Sequence, residues 1–424
     1  MRAISTLTRL SISGVILACV AYGLRESVMT SKAEARRQAR SVSTPAEQPL
    51  PSFRERSVPL EDILRHHLAQ HPNDPKLNCQ LAAVYLQSSD WTNAELRYRK
   101  VTQQWPRLAV GWQGLAVTLI HEGRYYEAVG AARRSTSLSP SSDVCKSVLA
   151  FSLMEMALEF PDQGTYKSQL AEARRDFEEI LPASTHRGDI LIRLGRICYA
   201  QNNNRSSIKY YTEAMQEQPD DPSIPATLIE VYLHIGDVTA ARRLVESMLA
   251  RFPNNASLHY ARGEILQRSA ETNAVAMTQN EFETAVKLNP NDADYQERFG
   301  AACLSLNNLT TARTAFELEI RLDGNRAYPY QQLALIYFRL GLPDRARQAG
   351  KYATDLVADD NQLSQMEGVS AAHPRDVSLQ LALADRYRSL GWLGPARDKY
   401  LYVVDLAPHN ARAEEALALL RKAQ

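Results

Sequence analysis

His67 and His71 stand four residues apart, the spacing that puts two imidazoles on one helical face where they could share a metal. Pro72 follows at once and ends that helix. Both histidines then sit in a last turn, where a cationic ring offsets the helix dipole. No third ligand has motif spacing, and Cys79 is the one nearby candidate. The chain has five cysteines in 424 residues, too few for a disulfide scaffold. It contains no GxSxG, HExxH or CxxC motif, and no glycine loop of the phosphate- or dinucleotide-binding kind. Its Asp and Glu residues are scattered over helix faces, where solvation is the default, and nothing suggests a paired-carboxylate acid and base. The expectation is therefore no metal, no cofactor and no enzyme.

Lys and Arg total 49 against 48 Asp and Glu, a net charge of +1. That balance argues against a basic nucleic-acid binder and against an acidic tail protein. Hydrophobic residues are 45% and charged residues 23%, so the bulk is neither disordered nor a multi-pass membrane protein.

The first 24 residues stand apart. Leu10 to Leu24 carry no charge, between Arg9 and Arg25. As a helix they would rise about 22 Å, short of a hydrocarbon core of roughly 30 Å unless Thr6 to Thr8 extend the span and the arginines snorkel. Residues 1–24 are read as a retained signal anchor, with two alternatives. One is a signal peptide cleaved near Ala21-Tyr22-Gly23. The other is lipid modification at Cys19, where Leu17 is bulky for a lipobox. The flanking charges leave the orientation open. Arg25, Lys32, Arg36, Arg37 and Arg40 favour a cytoplasmic downstream side, while the likeness to a signal peptide favours export. Export is adopted, with the bulk of the chain extracytoplasmic (periplasmic). Residues 25–59, rich in Arg, Ser, Pro and Ala, read as a flexible tether whose basic cluster could touch anionic lipid headgroups.

From residue 60 the chain repeats with a step of 34. Residues 75–108, 109–142, 188–221, 222–255, 293–326, 327–360 and 377–410 share one frame without gaps. Residues 143–187 need eleven extra residues, in a loop at 159–170, and 256–292 need three. The eighth position is small (Ala82, Ala116, Gly195, Gly263, Gly300), which lets two helices approach. The fifteenth is Ser89, Gly123, Asn202, Gly236, Asn307, Gly341 or Gly391, types that tolerate the left-handed turn ending a helix. The twentieth is small again, and an aromatic such as Tyr98, Tyr211, Phe316 or Tyr400 follows four residues later. Pro106, Pro140, Pro219, Pro253 and Pro408 then close the second helix. Gly324 and Ala358 replace that proline, Ile229 is large in the small column, and residues 361–376 interrupt the frame, where a short helix is expected. Residues 60–71 read as an orphan second helix at the start. Residues 411–424 read as the charged helix that closes the stack.

This pattern, with Trp112 at position four, Leu-Ala or Leu-Gly at seven and eight and Tyr at eleven, resembles the tetratricopeptide repeat family over roughly residues 75–410. The resemblance implies an all-α fold: a helical-hairpin solenoid wound as a right-handed superhelix, about nine repeats long. It also implies a concave face built from the first helix of each pair, which binds a peptide or protein partner. The family's two-carboxylate clamp needs Lys at five and Asn at nine; here Cys79 and Ala83 stand there.

By the same resemblance, positions two, five, nine, twelve and thirteen line that face. In the first three copies these are mainly apolar, among them Ala83, Val117, Phe151 and Met154. Later copies supply the candidate partner-binding residues Arg196, Tyr199, Glu230, Tyr260, Arg268, Tyr328, Gln331, Arg339 and Arg388. Tyr and Arg are common hot-spot residues. The apolar positions have a rival reading, as packing between adjacent first helices. The function expected is a membrane-tethered, non-catalytic scaffold for a protein or peptide, in assembly of an envelope or secretion complex. The alternative is a substrate-recognition subunit serving a separate enzyme, such as a transferase or a cytochrome-assembly system.

Overall fold

The computed structural model describes residues 60–159, 165–268 and 274–422. The anchor and tether, 1–59, lie outside these, as do residues 160–164 of the copy-three insertion. The described residues form helices and no strand, and the two helices of each repeat pack on one another. No helix among them is long and apolar enough to cross a membrane. The chain divides into two compact units.

The first unit joins residues up to 184 with residues 374–424. It holds α1 (Leu60–Gln70), α2 (Pro75–Gln87), α3 (Trp91–Gln104), α4 (Ala109–His121), α5 (Tyr125–Leu138), α6 (Asp143–Glu159) and α7 (Tyr166–Ile180). The second unit, residues 185–373, holds α8 (Arg187–Ala200), α9 (Asn204–Glu217), α10 (Ser223–His234), α11 (Val238–Arg251), α12 (Ala256–Gln267) and α13 (Ala274–Leu288). It continues through α14 (Ala293–Ser305), α15 (Leu309–Leu322), α16 (Ala327–Arg339) and α17 (Pro343–Ala372). The chain then returns to the first unit with α18 (Val377–Ser389), α19 (Leu393–Leu406) and α20 (Ala411–Lys422).

The turn inside each gap-free hairpin is set by one residue. Ser89, Gly123, Asn202, Gly236, Asn307, Gly341 and Gly391 all have φ between 58° and 82°. This left-handed step lets the next amide reach back five residues. Asp90 N–H donates to the Tyr85 carbonyl at 2.9 Å, and Arg124 N–H to that of Leu119 at 2.8 Å. The geometry is a Schellman closure, which satisfies carbonyls the helix end leaves open. Asp90, Asn203, Asp237 and Asn308 then cap the second helix through their side chains.

The small and aromatic columns meet inside each pair. A Cβ on Gly263 would stand 2.5 Å from the Phe282 ring, and one on Gly195 2.9 Å from Tyr211. Ala82, Tyr98, Ala384 and Tyr400 are buried in the same relation. Ile229 is accommodated in its small column, fully buried in one cluster with Ala241 and Val245. Cys198 and Cys303 are buried cysteines outside any disulfide.

One expectation needs correction. Residues 361–376 do not make a separate short helix. With Ala358 where a proline would stop it, α17 runs unbroken for 30 residues to Ala372. One contact also joins helices that are not neighbours in the repeat order. Within the first unit α19 packs on α5, far away in sequence. There the Tyr126 hydroxyl donates to Asp405, its ring stands edge-on to Tyr402 at 6.2 Å, and its amide approaches Asp398 at 3.4 Å.

Candidate functional site

The apolar first-helix positions of the first unit are core. Ala83, Val117, Phe151 and Met154 are all at most 1% exposed, so packing between first helices accounts for them. Val110 is the exception, at 50% exposed. At the equivalent positions of the second unit Ala226 and Leu233 are buried too, while the charged and aromatic ones reach solvent. Arg196, Tyr199, Glu230 and Tyr260 are half-buried, and Arg268, Tyr328, Gln331 and Arg339 are exposed.

Successive helices bring these side chains together. On α8, Tyr199 meets His234 of α10 edge-on at 5.2 Å. On α12, Tyr260 stacks on Tyr295 of α14 at 4.9 Å, and Tyr295 exchanges a hydrogen bond with Ser257 at 3.0 Å. Arg298 of α14 reaches Glu264 at 3.5 Å. Arg268 donates from Nη1 to the Leu233 carbonyl at 2.7 Å, so it also closes the open end of α10. Tyr328 stands edge-on to Phe316 at 6.1 Å, and beside it on α16 Phe338 is 72% exposed. Arg388 is not part of this group. It belongs to the first unit, 3.6 Å from Asp385 and over the Tyr400 ring at 5.9 Å.

Carboxyl groups dominate the electrostatics. Burial pushes Glu230 up to about 7, with Glu264 and Asp294 adding repulsion. Burial also raises Glu264, against the pull of Arg298 and Arg268. Burial and then the charge of Glu297 take Glu319 of α15 up to about 8, opposed by Arg326 3.6 Å away. Arg326 serves Asp294, Glu297 at 3.2 Å and Asp323 at 3.2 Å as well, so one guanidinium answers four carboxyls. Sequence reasoning missed Asp294, Arg298, Glu319 and Arg326. Asp294 occupies position two, a column already counted as facing the groove. The other three lie outside those columns, and only their charge at a helix–helix junction marked them.

No group of three or more His, Cys, Asp or Glu able to hold a metal occurs among the described residues. His67 and His71 are both exposed, and Cys79 is raised to about 12, mainly by burial, which keeps it a thiol at neutral pH. What remains is a face of tyrosines, arginines and carboxyls on parallel helices, chemistry suited to recognition.

The match to known families falls in this unit. Residues 204–265 fit the model of the tetratricopeptide repeat. No curated protein matches the chain in sequence. Among solved structures, MamA 41-end from Desulfovibrio magneticus RS-1 is similar at 18% identity and a TM-score of 0.35, covering 40% of this chain and 95% of that one. The human IFIT1 dimer with PPP-AAAA is similar at 14% identity and a TM-score of 0.45, covering 82% and 88%. Neither superposition is close enough to carry an inference. Residues 204–265 are thus a tetratricopeptide repeat segment, and the 34-residue frame with its seven left-handed turns carries the same helical-hairpin geometry through the other gap-free copies.

Proposed function

We propose that the chain is a non-catalytic scaffold that holds an extended protein segment along the first-helix face of its second unit. It works at a membrane, to which residues 1–24 tether it, on the extracytoplasmic side, in assembly of an envelope or secretion complex. One observation carries the binding face: columns that are apolar and closed in α4 and α6 bear charged and aromatic side chains, half-buried or exposed, along α8 to α16. Open Tyr and Arg on a rigid helical frame contribute contact area at little cost in ordering. The tether and its side rest on sequence alone, on the uncharged run Leu10 to Leu24 and the tether that follows.

The test is Arg196→Glu combined with Arg339→Glu, with tagged protein captured from detergent extracts of the source cells. The partner set of the wild type should fall at least tenfold while the thermal melt is unchanged. Equal capture by the folded double variant would move binding off this face.

A further inference from the structure

One core position of the second unit carries a charge. Three residues after the aromatic column, each second helix turns a side chain inward. Val101 follows Tyr98, Ala214 follows Tyr211, Ala285 follows Phe282 and Val403 follows Tyr400, all fully buried. In α15 the residue that follows Phe316 is Glu319, and it is just as buried. No other copy has a charged residue at this position. Neither oxygen of Glu319 has a hydrogen-bond partner. A carboxylate taken out of water needs donors, and an apolar residue here would need none.

The surroundings make ionisation harder still. Helix α15 packs against α14 and α16. The groups facing Glu319 are Asp294 and Glu297 from α14, Asp323 and Arg326 from the turn between α15 and α16, and the phenol of Tyr328 at the start of α16. Arg326 is the cation they share. Its Nη1 stands 3.2 Å from Glu297 and 3.6 Å from Glu319, its Nη2 pairs with Asp294, and its Nε is 3.2 Å from Asp323. One positive charge does not balance four ionised carboxyls, and its longest contact goes to the fully buried one. A proton on Glu319 removes one of those charges and gives the carboxyl a donor of its own. Glu297 stands on the same guanidinium nitrogen and can accept it. Burial and then the charge of Glu297 hold Glu319 up at about 8, against the pull of Arg326, so the proton is present at neutral pH.

We propose that the junction of α14, α15 and α16 is a proton-held latch: Glu319 keeps a proton and donates it to Glu297 in a hydrogen bond, and losing that proton loosens the α16–α17 hairpin from α14 and α15. The closed junction holds a proton that the opened one, with an ordinary glutamate titrating at about 4.3, does not. The latch is therefore strongest at low pH and weakens as pH rises from about 4 to 8, above which both forms are ionised. Helix α16 carries Tyr328, Gln331 and Arg339, so the latch sets how firmly those side chains are held. It stands on the packing of this junction, whatever the face they belong to binds.

The test is amide exchange in the full chain in detergent at a series of pH values from about 6 to 8.5, corrected for intrinsic rates. Protection in α15, α16 and α17 should fall by about tenfold or more across that range. Glu319→Gln has the same shape and stays neutral, so it should remove most of the fall while leaving exchange in the first unit as it was. Glu297→Gln takes away the facing charge, so the fall should end at a lower pH. This second variant keeps the test open where Glu319→Gln does not fold. Flat protection of these helices in the wild type overturns the latch. So does a fall of unchanged size in Glu319→Gln, or a wild-type profile in Glu297→Gln.

Discussion

The first helices of the two units obey one repeat and differ in how much they close in. In the first unit α4 buries nine of its thirteen residues and α6 ten of seventeen, while α18 buries four of thirteen. In the second, α8 buries eight of fourteen and α10 seven of twelve, but α12 only five of twelve and α16 three of thirteen. The ninth column makes the contrast residue by residue: Val117 and Phe151 are closed in, while Arg196, Glu230 and Glu264 are half open. The repeat frame thus fixes where a helix lies and which edge faces its partner helix. It does not fix whether the remaining edge is core or ligand surface. That is decided by composition: a helix apolar all round finds cover, and one with a charged stripe keeps that stripe wet.

The largest effect should separate the two units within this column. Phe151→Ala empties a fully buried site in α6, at a cost of about 3–5 kcal/mol from lost burial plus the cavity left behind. Glu230→Ala truncates a half-buried polar side chain in the open column, so its cost should stay within about 1 kcal/mol. Urea melts of the two variants measure the difference. Amide exchange in Phe151→Ala should rise in α6, α7 and α5 before it rises in the second unit, because repeats lean on their neighbours. Equal costs at the two positions would mean that the closed and open faces are not the real distinction.

Much of this architecture was legible in the residues. All seven left-handed turns fall where Gly, Asn or Ser recurs every 34 positions, because few residues accept φ near +60° and the column shows it. The length of α17 was legible in part. The missing proline at Ala358 was visible, but not that nothing downstream would stop the helix. The groove was half legible. Arg196, Tyr199, Glu230 and Tyr260 stand in columns the family resemblance points to. Arg298, Arg326 and Glu319 do not, because their roles come from junctions between repeats, and such contacts have no fixed spacing. Arg388 shows the converse. It occupies a groove column, yet belongs to the other unit and is engaged with Asp385 and Tyr400. The return of α19 onto α5 left no signal at all, since non-local pairing in a repeat chain has no period.

Each unit holds a buried carboxyl short of hydrogen bonds. In the second, both oxygens of Glu319 lack a hydrogen-bond partner, with Arg326 standing 3.6 Å away. In the first, Asp398 is 3% exposed where α19 meets α5, and its Oδ1 has no hydrogen-bond partner. Burial pushes Asp398 up to about 8. The Tyr126 amide, Arg124 and Arg397 pull it down, and Glu127 pushes it further up. Its folded value therefore lies above the ordinary one near 4, and the docked state holds the extra proton between those limits. Docking of α19 is strongest at the acid end of the window and weakens as pH rises from about 4 to 8, by on the order of 5 kcal/mol at most. Asp398→Asn keeps a neutral group there and should flatten the dependence. The measurement is amide exchange in α18 and α19 at pH 6 and 9, corrected for intrinsic rates. A wild-type profile as flat as that of the variant would mean that Asp398 is already ionised at the junction.

The smallest effect compares one turn in each unit. Ser89 in the first and Gly236 in the second both take a left-handed step, at φ 60° and 82°, and both launch the same five-residue closure, to Tyr85 and to Tyr232. Gly236 adopts it without a Cβ to clash. Ser89 carries one and is strained there, at a cost of about 1 kcal/mol. Ser89→Gly relieves the clash but loosens the unfolded chain, which returns part of the gain. The net expectation is a stabilisation of about 0.5 kcal/mol, read as a small rise in the urea midpoint with an unchanged slope. The reverse change, Gly236→Ser, should cost about 1 kcal/mol. Asn202 and Asn307 are the internal controls. Asn visits this region more readily than Ser, so Asn202→Gly should move the midpoint less than Ser89→Gly. If Ser89→Gly destabilises instead, the serine turn is held by its surroundings more than by its own backbone. The first hairpin would then differ from its counterparts in the second unit at the turn as well as at the face.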